Sequence, residues 1–555
     1  MNRLQFASRC ALVLVLGIAG GLLAAPDRAS AGITTMVSVY RAGYVGNQGG
    51  GSREPAISAD GRWVAFVSEN PNLVLGDTGD TRDVFLRDRL NGVTTRISSA
   101  NAEMDASDPS VSSDGRYVAY ETHDADTKNA DILVFDRLTG VTTLANLNSA
   151  GLRAVGASTP SISADGRYVA FETWSMPIGT DPEELSGGNL WVRDRIAGTT
   201  TLVSVDSQLG PGADEIYPGH GSDPEISGDG RYVVYRSDDN LVVANDTNGN
   251  DDDDAGTDVF VRDLVAGTTT RVSVNSAGGQ AIDPYCQAPS ISADGRYVAF
   301  TSEASNLVAN DTNACSDVFV HDRVTGATTR VSLTSSGAQA PQGGGGNSLS
   351  STGRFVAFGA ADGLVAADTN GEADCYVRDC VTGALMRVSV SSSGAQAPPD
   401  SGDASSEAVI SANGMVVAFQ GSYDRFVSVD ENRAPDIFAH ELNWSGAPLA
   451  TSITIKTTAT TARIGNAPTL SGAVTPTSLI GKSIVVYVKK PGKRTWTYLA
   501  KGTVYRLPNG SAAWRYKYYF KPGMVKGVYT YKAVVPALPG FKTSTSPRTV
   551  SIRLR

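Results

Sequence analysis

Lysine is almost missing from the first four-fifths of this 555-residue chain, and acid is wholly missing from the last fifth. Lys128 is the only lysine before residue 450, whereas residues 450–555 hold 18 Lys plus Arg and no Asp or Glu. The rest carries 29 basic against 57 acidic residues, so a net charge of −10 hides a region at −28 beside a strongly basic one. Such asymmetry argues for two domains with different partners. Cysteine is scarce as well. Of five, Cys10 falls in an apolar leader, leaving Cys286, Cys315, Cys375 and Cys380. With no CxxC and no Cys/His cluster, the spacing of a zinc site is absent. The four histidines (His123, His220, His321, His440) adjoin no nucleophile motif, and there is no Gly-x-Ser-x-Gly. No stretch has helical periodicity, and after the leader no apolar run is long enough to cross a bilayer.

The leader itself has the parts of a signal peptide: Arg3 and Arg9, an apolar run from Cys10 to Ala25, and the small-x-small triplet Ala29-Ser30-Ala31. Residues 1–31 are read as removed, with a membrane anchor as the alternative. The mature chain is then soluble and secreted or extracytoplasmic, where cysteines can pair.

What is present is a repeat. Ala288-Pro-Ser-Ile-Ser-Ala-Asp-Gly-Arg-Tyr-Val-Ala-Phe-Thr-Ser302 has six further copies, marked by the turn glycines Gly61, Gly115, Gly166, Gly230, Gly295, Gly353 and Gly414. Each unit contains four strand-like pieces; in the fifth they are Ala288–Ala293, Tyr297–Ser302, Asp317–Asp322 and Thr328–Leu333. Tight turns such as Asp294-Gly295-Arg296 and Val324-Thr325-Gly326 join them. Four short antiparallel strands repeated radially is the pattern of a β-propeller blade, and seven units imply seven blades. The seventh unit stops after Asp436-Ile-Phe-Ala-His-Glu-Leu442 without its fourth strand, while Thr34-Thr-Met-Val-Ser-Val39 precedes the first. The N-terminal strand is expected to complete the last blade and remove the open edges.

The units Pro-Ser-Ile-Ser-x-Asp-Gly-Arg-Tyr-Val-Ala-Phe and Asp-Val-Phe-Val-Arg-Asp resemble the TolB-type, WD-repeat-like propeller family over roughly residues 33–445. The separate domain that precedes the propeller in TolB itself has no counterpart here. The resemblance implies a periplasmic or secreted protein whose propeller is an interaction scaffold or precedes a hydrolase domain. From about residue 446 the composition turns to Lys, Thr, Tyr and Val, with short strands between turns such as Pro491-Gly492 and Pro522-Gly523. This stretch looks like the immunoglobulin-like modules of bacterial secreted proteins. The expected fold is thus all-β: a seven-bladed propeller over 32–445, then a basic immunoglobulin-like β-sandwich over 446–555.

Candidate chemistry is spread evenly. The acidic links Asp311-Thr-Asn313-x-x-x-Asp317, Asp368-Thr-Asn370-Gly-Glu372-Ala-Asp374 and Asp430-Glu-Asn432-x-x-x-Asp436 place oxygens as a Ca²⁺ loop does. Asx-turn capping is the competing reading. No other cofactor is indicated. A Cys286–Cys315 disulfide fits two links on the same rim. The acid ending each third strand (Asp88, Asp136, Asp194, Asp263, Asp322, Asp379, Glu441) recurs in every unit, so it serves the blade rather than one catalytic site. His321 and His440 replace the arginines Arg87, Arg193, Arg262 and Arg378 and read as strand-surface residues. No catalytic residue can be singled out among so many acids. The sequence favours a monomeric, non-catalytic binding protein. The propeller rim would take a protein or glycan through the links 206–222, 275–287, 335–347 and 391–406. The basic module would meet anionic cell-wall polymer rather than nucleic acid. The alternatives are a propeller enzyme acting on carbohydrate through rim carboxylates, and a structural envelope component.

Overall fold

The computed structural model describes residues 32–39, 50–77, 81–98, 104–124, 130–178, 181–205, 221–239, 242–243, 246, 256–282, 285–361, 363–398, 404–423, 426–427, 434–444, 452–465, 467–475, 483–493, 495–506, 512–535, 544–546 and 549–555. Among them there is no α-helix, and seven sheets of four antiparallel strands account for everything before residue 444. The fifth shows the plan: Gln287–Ile291 innermost, then Tyr297–Ser302, Asp317–Asp322 and Ala327–Arg330 outermost. Each sheet packs on the next, and the sheet of Ser405–Ile410 packs back on that of Ser52–Ile57, which makes a closed β-propeller ring. The strand missing from the seventh unit comes from the N-terminus. Thr34–Met36 pairs with Asp436–Glu441, Thr34 opposite His440 and Met36 opposite Phe438.

Two devices hold neighbouring sheets together. Gly295 has φ of +70°, which the turn needs, and a Cβ there would stand 2.1 Å from a ring carbon of Tyr232 in the preceding sheet. The same encounter recurs, as between Gly115 and Trp63 at 2.2 Å. The Asp-Gly-Arg turn is therefore a packing surface as well as a turn. Arg296 stacks beside Tyr297 at 4.8 Å and binds Asp322 with two nitrogens, at 2.9 and 2.7 Å. Asp88, Asp136, Asp194, Asp263 and Asp379 hold arginines in the same way. The recurrent acid is structural.

The second device lies around the axis. Ala59 N donates to Ser113 O, Ser113 N to Ala164 O, Ala164 N to Gly228 O, Asp229 N to Ala293 O, Ala293 N to Ser351 O, Ser351 N to Ala412 O, and Asn413 N back to Ala59 O, all at 3.0–3.1 Å. This belt of small residues narrows one end of the central channel. Hydrophobic pairs such as Phe300 and Phe319, with ring centres 5.8 Å apart, fill the space between sheets.

The strands of residues 452–554 form a sheet system of their own, into whose core Ile33 of the N-terminal segment also packs. The long strand Thr497–Arg506 pairs with Ser483–Lys489 through its first half and with Ala512–Lys517 through its second. Its core gathers Leu470, Val486, Val488, Trp514, Tyr531 and Ile552.

Candidate functional site: the mouth of the axial channel

The innermost strands enclose a channel of about 630 Å³. Every one of them carries a β-bulge, and at each bulge one residue has positive φ: Glu54, Asp108, Thr159, Asp223, Ala288, Gly346 and Glu407, at +48° to +60°. Left-handed backbone costs a non-glycine residue roughly 1–2 kcal/mol, and such strain gathers where a side chain must be aimed. All seven belong to the innermost strands, and six of them line the channel. Four carry a carboxylate.

The carboxylates bind one sheet to the next. Glu54 N donates to Glu407 Oε2 at 2.7 Å, Asp108 N to Glu54 Oε2 at 2.9 Å, and Thr159 N to Glu121 Oε2 at 3.3 Å. Glu121, whose charge acts on Asp108, is buried and lies 2.5 Å from His123 Nε2. On the next sheets Asp223 pairs with Arg236 at 2.7 Å. Glu225 accepts from Ile291 N at 3.1 Å and Ser290 Oγ at 3.3 Å, where four other sheets use a serine at that level. Farther along the same sheet as Thr159, the indole of Trp174 lies against Gly156 and is 66% exposed.

Protonation follows from this crowding. Burial, then the charges of Glu54 and Glu121, push Asp108 up to about 7, although the residue keeps an exposed surface. Burial and Asp223 raise Glu172 to about 7, and burial alone takes Glu225 there. Hydrogen bonding to Glu121 raises His123. The mouth can therefore bind amines or hydroxyls and exchange protons near neutral pH.

These shifts set a pH dependence of stability. Asp108, Glu172 and Glu225 have folded pKa values near 7 and unfolded values near 4. Their stabilisation is complete below the unfolded value and is lost as pH rises through 7. Buried His440, pushed down to about 3, acts the other way as pH falls below about 6.5. Arginine-paired Asp136 and Asp194, lowered to about 2, lose their contribution on acidification below about 4. Asp258 and Asp374, raised by burial to about 7 and about 6, add to these acids, and His321, lowered by burial, adds to His440. The acids outnumber the histidines, so the melting temperature should rise from pH 7 to about 5 and then fall below about 4. Glu225→Gln should flatten the rise. A melting temperature that falls steadily from pH 7 to 5 would contradict the assignment.

The expected Ca²⁺ loops require correction. Asp311 and Asp317 converge on Arg330 Nη1, at 3.2 and 3.1 Å, and Asp368 and Asp374 on Arg387 Nη1, at 2.8 and 3.2 Å. The cation between the carboxylates is a guanidinium from the fourth strand. Arg96 does the same for Asp77 and Asp83, and Arg271 for Asp246 and Asp258. Asn313 and Asn370 cap their turns by accepting from the amides of Cys315 and Glu372, at 3.3 and 3.4 Å. Asp436 accepts Ser38 Oγ from the N-terminal strand at 2.6 Å; Asp430 and Asn432 lie outside the described residues. No group of three or more acids, histidines or cysteines among the described residues is arranged to hold a metal.

Other expectations change too. Cys286 and Cys315 are free thiols rather than a disulfide. Cys286 is buried in the sheet core, whereas Cys315 points at the carbonyls of Asn313 and Pro341. His321 and His440 are buried, not surface residues. Their Nδ1 atoms meet Thr328 Oγ1 at 2.9 Å and Thr34 Oγ1 at 2.8 Å, and those threonines bond to Val274 O and Val390 O of the preceding sheet. The links proposed as variable binding loops begin with a shared clip, Asn275-Ser-Ala-Gly278 or Thr334-Ser-Ser-Gly337, held by Gly278 N to Asn275 O and Gly337 N to Thr334 O. Their first halves are joints between sheets; most of 206–222 lies outside the described residues.

The mouth acids were not singled out by sequence reasoning. The signal was available, because the residue before each innermost-strand proline varies as Glu54, Asp108, Thr159, Asp223 and Ala288 while its neighbours repeat. That one position faces the channel and not the core.

No family model matches the chain, and no curated protein matches it in sequence. Among solved structures it is similar to the β-propeller domain of the Trilobed protease from Pyrococcus furiosus (12% identity, 71% of this chain and 94% of that one, TM-score 0.44). It is similar also to an oligogalacturonate lyase in complex with manganese (14%, 71% and 89%, TM-score 0.41) and to one from Vibrio parahaemolyticus (12%, 75% and 98%, TM-score 0.44).

Proposed function

We propose that this chain is a secreted binding protein. In this reading residues 1–31 are a signal peptide, residues 32–445 a seven-bladed, TolB-like propeller, and residues 446–555 an immunoglobulin-like domain that associates with anionic cell-envelope material. The propeller takes an amine-bearing glycan or protein segment at the mouth of its channel. The observation that carries this is the ring of strained backbone at the bulges, which sets Glu54, Asp108, Asp223 and Glu407 around one opening. Every sheet has the strained bulge, but acids occupy four of the six such positions that line the channel, which concentrates negative charge at one opening. Trp174 adds an exposed aromatic face on the sheet that carries Thr159.

The test is binding of the mature chain to a chitosan oligomer, to a lysine-rich peptide, and to neutral cellohexaose as control. A Glu54→Gln/Glu407→Gln double variant should lose about tenfold or more in affinity for the amine-bearing probe that binds, and Trp174→Ala should weaken the chitosan oligomer alone. Equal affinity for cellohexaose, or a double variant that binds like the unsubstituted chain, would refute the reading. A second reading, a carbohydrate-active enzyme, is favoured by Asp108 and Glu172, whose protons are exchangeable near pH 7. It requires product release from a polysaccharide that Asp108→Asn abolishes without loss of binding.

A further inference from the structure

We propose that the outward face of four strands in the C-terminal unit, Ser483–Lys489, Thr497–Arg506, Gly527–Val535 and Val550–Leu554, is a binding surface for a polyanionic glycan. The proposal rests on the envelope-binding reading of this unit and assigns it a face and a ligand chemistry.

The face is set by alternation. Val486, Val488, Tyr531, Ala533 and Ile552 point into the core, so Tyr487, Lys489, Thr530, Lys532 and Ser551 point away from it. The register sets them side by side: Tyr487 lies opposite both Tyr498 and Lys532, Lys489 opposite Thr530, and Thr530 opposite Ser551. Lys532 Nζ lies 5.3 Å from the ring centre of Tyr487 and 4.9 Å from that of Trp496, and Lys489 Nζ lies 5.4 Å from the same indole. Two ammonium groups thus converge on one aromatic ring.

Like charges so placed repel, and in most proteins a carboxylate would sit between them. Here residues 450–555 contain none, and no ion pair among the described residues involves this unit. The ring quadrupole holds the amines in place and leaves their charge to be met from outside. A repeating anion on a sugar backbone suits the remaining chemistry. Exposed Tyr498 and the indole offer flat apolar faces to sugar C–H groups, and the Thr530 and Ser551 hydroxyls, 3.2 Å apart, can bond sugar hydroxyls.

The experiment uses the full mature chain and measures its affinity for alginate, purified teichoic acid, neutral dextran and poly(dT). Alginate and teichoic acid distinguish carboxylate from phosphodiester as the source of charge. Lys489→Gln/Lys532→Gln should weaken binding to the preferred polyanion about tenfold or more, and raising salt should weaken it further. The melting temperature should stay unchanged. Arg515→Gln/Lys517→Gln, on the other layer, should change little. If that second variant loses binding and the first does not, the face is wrong and the envelope reading stands. If the unsubstituted chain binds neither polyanion, both fall. Equal binding to dextran, or tighter binding to poly(dT), overturns the proposal.

Discussion

Deleting residues 33–39 should abolish cooperative folding of the ring, with aggregation replacing the melting transition. The segment supplies the outer strand of the sheet ending at Asp436–Glu441. Its Val37 and Met36 are buried, at 0% and 7% exposure, which is about 1.5–3 kcal/mol per side chain. Val37 N also bonds to Ile437 O at 2.7 Å, and Ser38 Oγ to Asp436 at 2.6 Å. Thr34 bridges buried His440 to Val390 O of the preceding sheet. Without the segment, Asp436–Glu441 becomes an unprotected edge. Size-exclusion chromatography with thermal melting checks the outcome, and a peptide of residues 32–40 added in trans should restore a monomeric peak. An unchanged melting temperature in the deletion would show that the ring is closed by something else.

The second large effect separates turn geometry from packing. Gly295 and Gly326 have similar φ, +70° and +74°, but a Cβ at Gly326 meets nothing within 4 Å, whereas at Gly295 it runs into Tyr232. Gly326→Ala should cost about 1 kcal/mol, the price of left-handed backbone alone. Gly295→Ala should cost about 2–5 kcal/mol, because overpacking adds to it. Chemical denaturation of the two variants decides the matter. Equal losses would mean that the Asp-Gly-Arg motif is only a turn and not a joint between sheets.

How much was legible depends on whether a feature repeats. The turn glycine and the strand after it repeat seven times, five of them as Asp-Gly-Arg, so strand number, order and the displaced N-terminal strand could be read directly. Where the structure overrules the sequence, the cause is a partner from distant chain. Asp311 and Asp317 look like a cation loop until Arg330 arrives from the fourth strand. Cys286 and Cys315 share a rim, but their side chains face different neighbours. His440 sits in an arginine's register, yet the incoming Thr34 covers it.

The channel mouth shows the division most clearly. Periodicity along the chain specifies what every blade needs, namely its turn, its core and its joint, because each is met within one unit or against an identical neighbour. It carries no information about which of many carboxylates share a space. Glu407, Glu54, Asp108 and Glu121 come from three different units and are brought together only when the ring closes. The architecture and the opposite charges of the two regions belong to the sequence. The site belongs to the tertiary structure, since the axis onto which the bulges aim exists only in the closed ring.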